Sequence, residues 1–369
     1  MNLFGRDLAL CSPQNPNHPT AVCRPFLDSE RCAMTMRKVL HVGPCDTPGG
    51  MATVMHTLAE FPPEGWEAEL LASHAPGGLW AKWRAYRRAR KELIRRCSSP
   101  DERPDIVHVH TAADWSWRRK ARLIRIARGE RVPCVVHLHS GDMLNWLNRR
   151  NFSGLKNYFF MKRFVVKHEI YLVSLSENWS KKFEPLLGKS HNISNPVHPR
   201  YHQNPDVARI SGKILMVGRN DPVKGHSFAI DVVRRAREIN SEIHLVLTGI
   251  SEHPEDWVST LGWIPTDELV NQYQTTQLLL MPSFFEGQPL AAIEALSCGA
   301  PVIVSSSVSS LPATVHSVPF DPDVWVDKIV ELTSSNSKIK KMGDLSEFKV
   351  QVVQAHWGSI YSSIYDRNH

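Results

Sequence analysis

The chain has 369 residues, of which 42% are hydrophobic and 22% charged, a composition typical of a globular protein and too apolar for a disordered one. At roughly 100–200 residues per domain, this length predicts two domains rather than one. The net charge of +7 indicates an anionic partner, which could be nucleic acid, an anionic membrane surface or a phosphorylated substrate.

The charge is distributed unevenly along the chain. Residues 1–36 are neutral overall, residues 37–200 carry +13, and residues 201–369 carry −6. Seven cysteines without a CxxC pair predict reduced thiols in a cytosolic protein, and neither a disulfide framework nor a zinc site. No run approaches about 18 apolar residues, so the sequence predicts no transmembrane helix.

The first 36 residues are rich in Pro, Asn, Ser and Cys and show no periodicity, and Met34 and Met36 directly precede the first clear strand. We interpret residues 1–36 as a disordered N-terminal extension, or as the product of a start codon placed too early.

Beyond residue 36, short apolar runs alternate with amphipathic helices. Runs rich in Val, Ile and Leu, bounded by Gly, Pro or Ser, are typical of parallel strands buried on both faces. The pattern predicts two doubly wound α/β domains, residues 37–200 and 201–345, joined near residues 195–212. A closing helix, residues 346–369, is expected to pack back on the first domain. The eight predicted strands are Lys38–Gly43, Asp105–Thr111, Cys134–His139, Tyr171–Ser176, Lys213–Arg219, Ile243–Gly249, Gln277–Ser283 and Pro301–Ser306.

A glycine-containing loop, Gly43–Met51, follows the first strand. Gly49 and Gly50 open a helix there, and adjacent glycines at a helix N-terminus expose amide groups that can approach an anion. The sequence contains neither G-x-G-x-x-G nor a P-loop, so binding of NAD or ATP lacks its usual support.

Two stretches account for much of the positive charge of the first half. Leu79–Arg96 contains eight cations and one acid, and Trp117–Arg131 contains seven and one. In the first stretch, Trp80 and Trp83 recur at helical spacing beside arginines, as in an interfacial amphipathic helix. We therefore predict that Leu79–Arg96 contacts an anionic membrane surface. The alternative, which we favour for the second stretch, is an ordinary helix with its apolar face in the core.

Histidines end two strands of the first half. His137 and His139 lie on one face of the strand that leads to Asp142, and His108 and His110 are similarly spaced. Strand-end histidines are more often buried and hydrogen-bonded than functional, and we interpret His108 and His110 as structural. The alternative is that His110 and Thr111 line a site.

In the second half, Arg219 and Lys224 follow the first strand. They could neutralise a diphosphate, although alone they would be two exposed cations at a turn. Asp321 and Asp323 have the outline of a metal-binding D-x-D, but they follow a late strand, and we interpret them as a turn. No metal site is predicted.

The most informative segment is Pro282–Pro301, in which a strand ends at Ser283 and a helix begins near Pro289. Glu286 lies on the intervening loop, and Glu294 lies about two helical turns further on nearly the same side. An unpaired carboxylate within the apolar part of this helix would be unfavourable, which indicates a binding role for Glu294.

The sequence PSFFEGQPLAAIEALSCGAPVI closely resembles the nucleotide-sugar motif of retaining GT-B glycosyltransferases of the family 4 type, glycosyl transferases group 1. The resemblance implies an α/β GT-B fold with two Rossmann-like, doubly wound parallel-sheet domains that face a central cleft. It implies that Glu286 contacts the transferred sugar and that Glu294 accepts hydrogen bonds from the ribose. The sugar hydroxyls would be held by the backbone of Gly287, Gln288, Pro289 and Leu290. Gln288 stands where many members carry an aromatic residue, which leaves the identity of the sugar open.

The same resemblance assigns roles outside this segment. Arg219 and Lys224 correspond to the cations that bind the donor phosphates, and Gly49 and Gly50 to the loop that meets donor phosphate and acceptor. His139 and Asp142 would face the donor sugar and the acceptor. The catalytic set implied is Glu286, His139, Arg219 and Lys224.

The function implied is retaining transfer of a hexose from a nucleotide-diphosphate sugar to a hydroxyl of a glycan or lipid-linked saccharide, in cell-surface polysaccharide or glycoconjugate biosynthesis. The leaving phosphate would take the acceptor proton, and no metal or other cofactor would be required. We expect a cytoplasmic enzyme, or one held peripherally at the inner face of the membrane. The alternatives are a sugar-nucleotide epimerase or hydrolase on the same fold, or a nucleic-acid-binding protein that uses the basic half. Binding of nucleic acid would leave the donor residues without a purpose. The donor base, the acceptor and the oligomeric state stay open.

Overall fold

The computed structural model describes residues 36–139, 141–334 and 343–368. Apart from Met36, the predicted N-terminal extension lies outside the described residues. The described residues form two six-stranded, fully parallel sheets with helices between the strands. The strands of the first sheet are β1 (Arg37–Gly43), β2 (Trp66–Ala72), β3 (Ile106–Thr111), β4 (Cys134–Leu138), β5 (Tyr171–Ser174) and β6 (Ser190–Asn192). The strands of the second sheet are β7 (Lys213–Met216), β8 (His244–Leu247), β9 (Val258–Thr260), β10 (Leu278–Met281), β11 (Val302–Ser305) and β12 (His316–Val318).

Helices connect nearly all of these strands, as parallel pairing requires. Six helices follow strands of the first sheet or lie between them: α1 (Gly50–Glu60), α2 (Leu79–Ser98), α3 (Trp115–Gly129), α4 (Met143–Trp146), α5 (Phe152–Lys167) and α6 (Glu177–Leu187). The later helices are α7 (His226–Ile239), α8 (Thr266–Thr275), α9 (Leu290–Ser297), α10 (Pro322–Thr333) and α11 (Val350–Asn368).

Both sheets are wound in two directions from a central strand. The first has the order β2-β1-β3-β4-β5-β6 and the second β12-β11-β10-β7-β8-β9. The winding direction therefore changes between β1 and β3 in the first sheet and between β7 and β10 in the second. Ligands of open α/β sheets bind at such points, outside the carboxyl ends of the strands. A ligand-binding site is thus expected at the loops that follow β1, β3, β7 and β10.

The eight predicted strands all form, each within two or three residues of its predicted ends. The sequence pattern does not predict β2, β6, β9 and β12, which are the two edge strands of each sheet. The central strands are almost completely buried, and apolar faces of the surrounding helices pack on them. Among the described residues, Cys45, Cys97, Cys134 and Cys298 are free, buried thiols.

The last helix packs against the first sheet although the chain reaches it from the second. Trp357 and Tyr361 of α11 are buried beside Val39 and Trp66. The hydroxyl of Tyr361 lies 2.6 Å from Nδ1 of His108 in β3. The helix therefore ties the end of the chain to the centre of the first domain.

The two basic stretches form helices of different character. In α2 the buried residues are Ala85, Ala89, Leu93 and Cys97, whereas Leu79, Trp80 and Trp83 at its beginning are exposed. In α3, by contrast, Trp117, Leu123 and Ile124 belong to the core. Within the residues that the structure covers, no helix combines the length and the apolar character needed to cross a bilayer.

Candidate active site

A cleft of about 990 Å³ lies between the carboxyl ends of the two sheets. It brings together residues that are far apart in the sequence, from the loops after β1, β4, β7 and β10. The predicted site residues that line it are Gly49, Gly50, His139, Arg219, Lys224, Glu286, Gly287, Gln288, Pro289, Leu290 and Glu294. Asp142 does not line the cleft; its carboxylate accepts a hydrogen bond of 3.0 Å from Asn145 at the beginning of α4.

An ion pair joins two of the predicted residues on the wall formed by the second domain. Nζ of Lys224 lies 2.6 Å from Oε1 of Glu286. Lys224 belongs to a single 3-10 turn, Pro222–Lys224, and the side chain of Asp221 caps this turn by accepting from the amide of Val223. Because the amide of Phe284 donates to the carbonyl of Val223, the loop after β10 is fastened to the loop after β7. This places a cation and a carboxylate side by side at the switch point of the sheet.

Gly225 makes this arrangement of loops possible. Its φ of 76° lies in the left-handed region, and a Cβ atom here would lie 2.3 Å from the carbonyl oxygen of Pro282. Both features require glycine. The backbone at Gly225 therefore lies close to the neighbouring loop.

Arg219 follows β7 on the same wall. Its side chain is exposed and takes part in no ion pair of the described residues. The guanidinium group is thus available to an anion that enters the cleft.

Glu294 is buried in the floor of the cleft, with 6% of its surface exposed. The hydroxyl of Tyr273 donates to its Oε2 over 2.9 Å, and Tyr201 also hydrogen-bonds to it. Burial nevertheless raises the pKa of Glu294 to about 7. Glu294, which the sequence pattern left without a partner, therefore has two tyrosine partners. Because its carboxylate is poorly solvated, further donors such as ribose hydroxyls would stabilise its charged form.

Two glycines allow the domains to touch at one end of the cleft. A Cβ atom on Gly141 would lie 2.3 Å from the carbonyl oxygen of Glu286, and one on Gly287 would lie 2.3 Å from the carbonyl oxygen of His139. The loops after β4 and β10 are consequently in backbone contact. The indole of Trp179 strengthens this contact by donating to the carbonyl of Gly287 over 2.7 Å.

The side chain of Gln288 connects the same two parts of the molecule. Its Oε1 accepts from the amide of Asn195 over 2.6 Å, and its Nε2 donates to the carbonyl of Leu175 over 3.1 Å. The residue is 6% exposed. Residue 288 therefore acts at the contact between the domains, a role that differs from the predicted influence on the sugar.

A stack of histidines leads from the core of the first domain to the cleft. Nδ1 of His41 lies 2.9 Å from Nε2 of His110, and Nδ1 of His110 lies 3.0 Å from Nε2 of His139. Burial lowers the pKa of His41 and of His139 to about 3, and that of His110 well below its usual value. A neutral ring carries a single proton, so His110 donates to one neighbour and accepts from the other. His139 is thereby held neutral and oriented at the edge of the cleft, which suits a hydrogen-bonding role better than that of a base.

The same stack is the place among the described residues where side chains could hold a metal ion. The nitrogen atoms of His41, His108 and His110 lie within 4.8 Å of one another, as do those of His110, His137 and His139. Asp321 and Asp323, in contrast, are the cap and first turn of α10: Asp321 accepts from the amide of Asp323, and Asp323 pairs with Arg235. The pair therefore begins a helix instead of forming the predicted turn.

Two helices present uncapped N-termini to the cleft. Gly49 precedes α1 and Pro289 precedes α9, and neither forms a side-chain cap or has an acidic residue in the first turn. Free amide groups and the helix dipole favour negative charge at these ends. The arrangement suits a ligand that bears phosphates or hydroxyl groups.

The wall formed by the first domain carries three basic residues that lie outside the predicted site. His74, Arg119 and Lys120 line the cleft beside the loop after β1. Lys120 could have been noticed, because it occupies a position on the apolar face of α3 where a core residue is expected.

Comparison with known proteins identifies both halves of the chain. Residues 37–192 match the family model described as glycosyl transferase 4-like domain, and residues 211–335 match the model described as glycosyl transferases group 1. Together the two matches cover about three quarters of the chain.

Two curated relatives are similar over parts of the sequence. O-antigen chain mannosyltransferase B of Escherichia coli is 44% identical over 61 residues, which cover 16% of this chain and 16% of the relative. The MMP alpha-(1->4)-mannosyltransferase of Mycolicibacterium hassiacum is 27% identical over 183 residues, which cover 42% of this chain and 44% of the relative. The chain thus matches less than half of the length of either protein.

A solved structure is similar over nearly the whole chain. Sucrose-phosphate synthase from Thermosynechococcus elongatus has a TM-score of 0.67, with 90% of this chain and all of that chain covered, at 14% sequence identity. At this level of identity the likeness shows the fold.

Proposed function

On the premise that this chain belongs to the glycosyl transferases group 1, of the family 4 type, and has the GT-B fold, we propose that it transfers a hexose from a nucleoside-diphosphate sugar to a hydroxyl group of a glycan acceptor with retention of configuration. The observation that carries the proposal is that one cleft collects Lys224, Glu286 and Glu294 of the second domain and the glycine loop of the first.

The donor would lie across the carboxyl ends of β7 and β10. Ribose hydroxyls would donate to Glu294, and the diphosphate would lie between Arg219, Lys224 and the uncapped N-terminus of α1. Positive groups placed where the leaving group develops its charge are a major source of catalysis in group transfer. The sugar would then extend toward Glu286 and the backbone of Gly287–Leu290.

The ion pair between Lys224 and Glu286 supports this scheme. Without a donor, each group neutralises the other at a distance of 2.6 Å. A bound diphosphate would compete for the ammonium group, which would free the carboxylate of Glu286 to accept from sugar hydroxyls. Exchange of partners would therefore couple binding of the phosphates to orientation of the sugar.

In the proposed step, the bond between C1 of the sugar and the diphosphate oxygen breaks, and its electrons remain on the diphosphate. The acceptor oxygen forms its bond to C1 on the same face, and its proton passes to the departing phosphate oxygen. Neutral His139 would hold a sugar hydroxyl. Because Arg219 and Lys224 supply positive charge, no metal ion is needed in this scheme.

The acceptor is proposed to be a membrane-associated glycan. Trp80 and Trp83 are 74% and 46% exposed, and the guanidinium of Arg87 lies 4.8 Å from the centre of the Trp83 ring. Exposed tryptophans beside cations are typical of proteins that bind at the interface of anionic bilayers. Because two relatives are named mannosyltransferases, we expect the sugar to be mannose.

A transfer assay with UDP-, GDP- and ADP-linked hexoses tests the proposal. We expect Glu286→Gln and Lys224→Met to lower the transfer rate by about 100-fold or more, since each removes a group that acts on the donor. The matched control is Lys328→Met, which breaks the exposed pair between Lys328 and Glu331 on α10 and should leave the rate unchanged. Dialysis against a chelator should have no effect, and NMR of the product should show the anomeric configuration of the donor. Transfer at the wild-type rate by Glu286→Gln would disprove the assignment.

A further inference from the structure

Lys120, a basic residue of the cleft, has no role in the proposed sugar transfer. Lys120 lies on the buried face of α3, between Trp117 and Ile124, and none of its surface is exposed. Its Nζ has no hydrogen-bond partner. An unpaired ammonium group is unfavourable at a buried position, and burial lowers the pKa of Lys120 to about 7. A residue of this kind at a core position implies a ligand that compensates for it.

A neighbouring arginine adds to the positive charge. Nε of Arg119 is also buried without a partner, and neither Arg119 nor Lys120 belongs to an ion pair among the described residues. His74 contacts Oγ1 of Thr47 over 3.2 Å, and burial together with Arg119, Lys82 and Lys120 lowers its pKa to about 4. Three nitrogen-bearing side chains thus face one part of the cleft without a carboxylate paired to them.

An acidic residue that lines the same cleft does not neutralise this group. Asp46, on the loop after β1, is exposed, and its carboxylate accepts from the thiol of Cys45 over 3.8 Å. Arg119 and Lys120 lie near the N-terminus of α3. The N-terminal end of this helix of 15 residues adds positive potential there. This part of the cleft is therefore suited to an anion.

The loop after β1 separates these cations from the donor residues. On one side, Thr47 contacts His74; on the other, a Cβ atom on Gly50 would lie 3.5 Å from the side chain of Leu290 at the beginning of α9. Arg219 and Lys224 belong to the opposite wall. The charge of Lys120 nevertheless reaches His139, whose pKa it lowers in addition to burial. The cations thus face the place of sugar transfer from the side of the first domain.

We propose that Lys120, Arg119 and His74 form a phosphate-binding subsite for the acceptor. The acceptor would be a saccharide that bears a phosphate, either a soluble sugar phosphate or a saccharide linked to a lipid through phosphate. Guanidinium and ammonium groups bind phosphate through charge-assisted hydrogen bonds, and the neutral imidazole can add one donor. The assignment of the phosphate to the acceptor rests on the proposed function. The existence of an anion-binding subsite does not depend on that function.

Binding of inorganic phosphate to the full chain tests the subsite without turnover. Calorimetric titration is carried out with the donor site saturated by the nucleoside diphosphate that binds best. We expect phosphate to bind to this complex, with at least tenfold weaker affinity in Lys120→Met and in Arg119→Gln. The control is Arg118→Gln, which removes an adjacent, exposed cation of the same helix. Its phosphate affinity should equal that of the wild type.

Three results would overturn the proposal. Displacement of phosphate by the nucleoside diphosphate would assign the cations to the donor. Absence of phosphate binding, or equal affinity in the wild type and both variants, would show that Lys120 does not bind an anion. Circular dichroism and thermal unfolding show whether each variant is folded. If Lys120→Met does not fold, the phosphate affinity of Arg119→Gln tests the subsite.

Acceptor kinetics distinguish the two sources of phosphate. A hexose phosphate and a short-chain polyprenyl-diphosphate saccharide are compared with the corresponding neutral saccharide. We expect Lys120→Met to raise the KM of one phosphorylated acceptor at least tenfold and to leave the KM of the donor unchanged. Preference for the neutral saccharide would overturn the proposal. If nothing is transferred to any acceptor, the proposed function fails, while the titration still decides whether the subsite exists.

Discussion

The two glutamates of the segment after β10 have different surroundings although they are eight residues apart. Glu286 is paired with Lys224 at the edge of the cleft, whereas Glu294 is buried and held by tyrosine hydroxyls. An ion pair can exchange its partner when a diphosphate enters. A buried carboxylate held by neutral donors stays in place and gains from each further hydroxyl that donates to it. The difference matches the roles proposed for sugar and ribose.

Burial of Glu294 predicts a pH dependence of stability. Its pKa is raised to about 7 in the folded protein, from a value near 4.5 in the unfolded chain. Between these two values the folded protein retains a proton that the unfolded chain releases, so the free energy of unfolding falls as the pH rises from about 4.5 to 7. The slope for one full proton is about 1.4 kcal/mol per pH unit, as an upper limit. We expect Glu294→Gln to remove this part of the slope in thermal unfolding measured between pH 5 and 8.

The control is Glu331→Gln, which changes a carboxylate paired with Lys328 on the surface of α10. Its pH dependence should follow that of the wild type. A wild-type slope in Glu294→Gln would show that the carboxyl group of Glu294 is ionised throughout this range.

At the scale of elements, the loops after β4 and β10 depend on glycine for their backbone contact. Gly287→Ala would place a Cβ atom 2.3 Å from the carbonyl oxygen of His139, and backbone cannot move away as a side chain can. The two loops would move apart, which would increase the distance between His139 and Glu286. Because misplacement of catalytic groups by about 1 Å can lower rates about 100-fold, we expect a loss of that order in kcat/KM. Binding of the nucleotide alone should change little.

Gly129→Ala provides the comparison for this substitution. Gly129 ends α3, and nothing lies within 4 Å of the position of an added Cβ atom. Transfer by Gly129→Ala should equal that of the wild type. Equal activity of Gly287→Ala would mean that contact between these loops is not needed for transfer.

The elements that the sequence did not predict share a physical cause. β2, β6, β9 and β12 lie at sheet edges, where one side of the strand is solvated and pairing extends over as few as three residues. In β2, the exposed residues Glu67 and Glu69 face away from the buried Trp66 side, so no continuous apolar run is left to recognise. The central strands are buried on both faces and appear in the sequence as such runs.

The candidate site shows the same limit. Residues carried by one local motif, such as Glu286 and Glu294, could be identified because their spacing and the flanking strand and helix lie within one segment. The partners of these residues come from elsewhere: Tyr273 and Tyr201 for Glu294, and Leu175 and Asn195 for Gln288. Contacts over such distances in the sequence follow from the winding of the sheets, which the local pattern does not contain.

At the scale of the whole molecule, the positive charge of the first domain falls into groups with different surroundings. Arg95 and Arg96 at the end of α2 are paired with Glu92, Glu102 and Glu69. Arg84, Arg87 and Lys91, nearer its beginning, are exposed and take part in no ion pair of the described residues. Of these unpaired cations, Arg87 lies over the ring of Trp83, and Lys82 of the same turn is close enough to act on His74 in the cleft. The exposed aromatic and basic surface therefore adjoins the proposed acceptor subsite.

This arrangement predicts that the beginning of α2 binds the membrane from which a lipid-linked acceptor would be taken. Exposed tryptophans contribute by burying apolar area at the interface, and each nearby cation contributes on the order of 1 kcal/mol on an anionic surface. We expect the protein to sediment with vesicles in which on the order of 30% of the lipid is anionic, as in a physiological leaflet. We expect no sedimentation with neutral vesicles. Trp80→Ser and Arg87→Gln should each weaken the association by about threefold to tenfold. The control is Ile239→Ser, which removes another exposed apolar side chain, from α7 of the second domain. If Trp80→Ser and Ile239→Ser sediment alike, α2 is not the membrane-binding element, and the unpaired cations must have another partner.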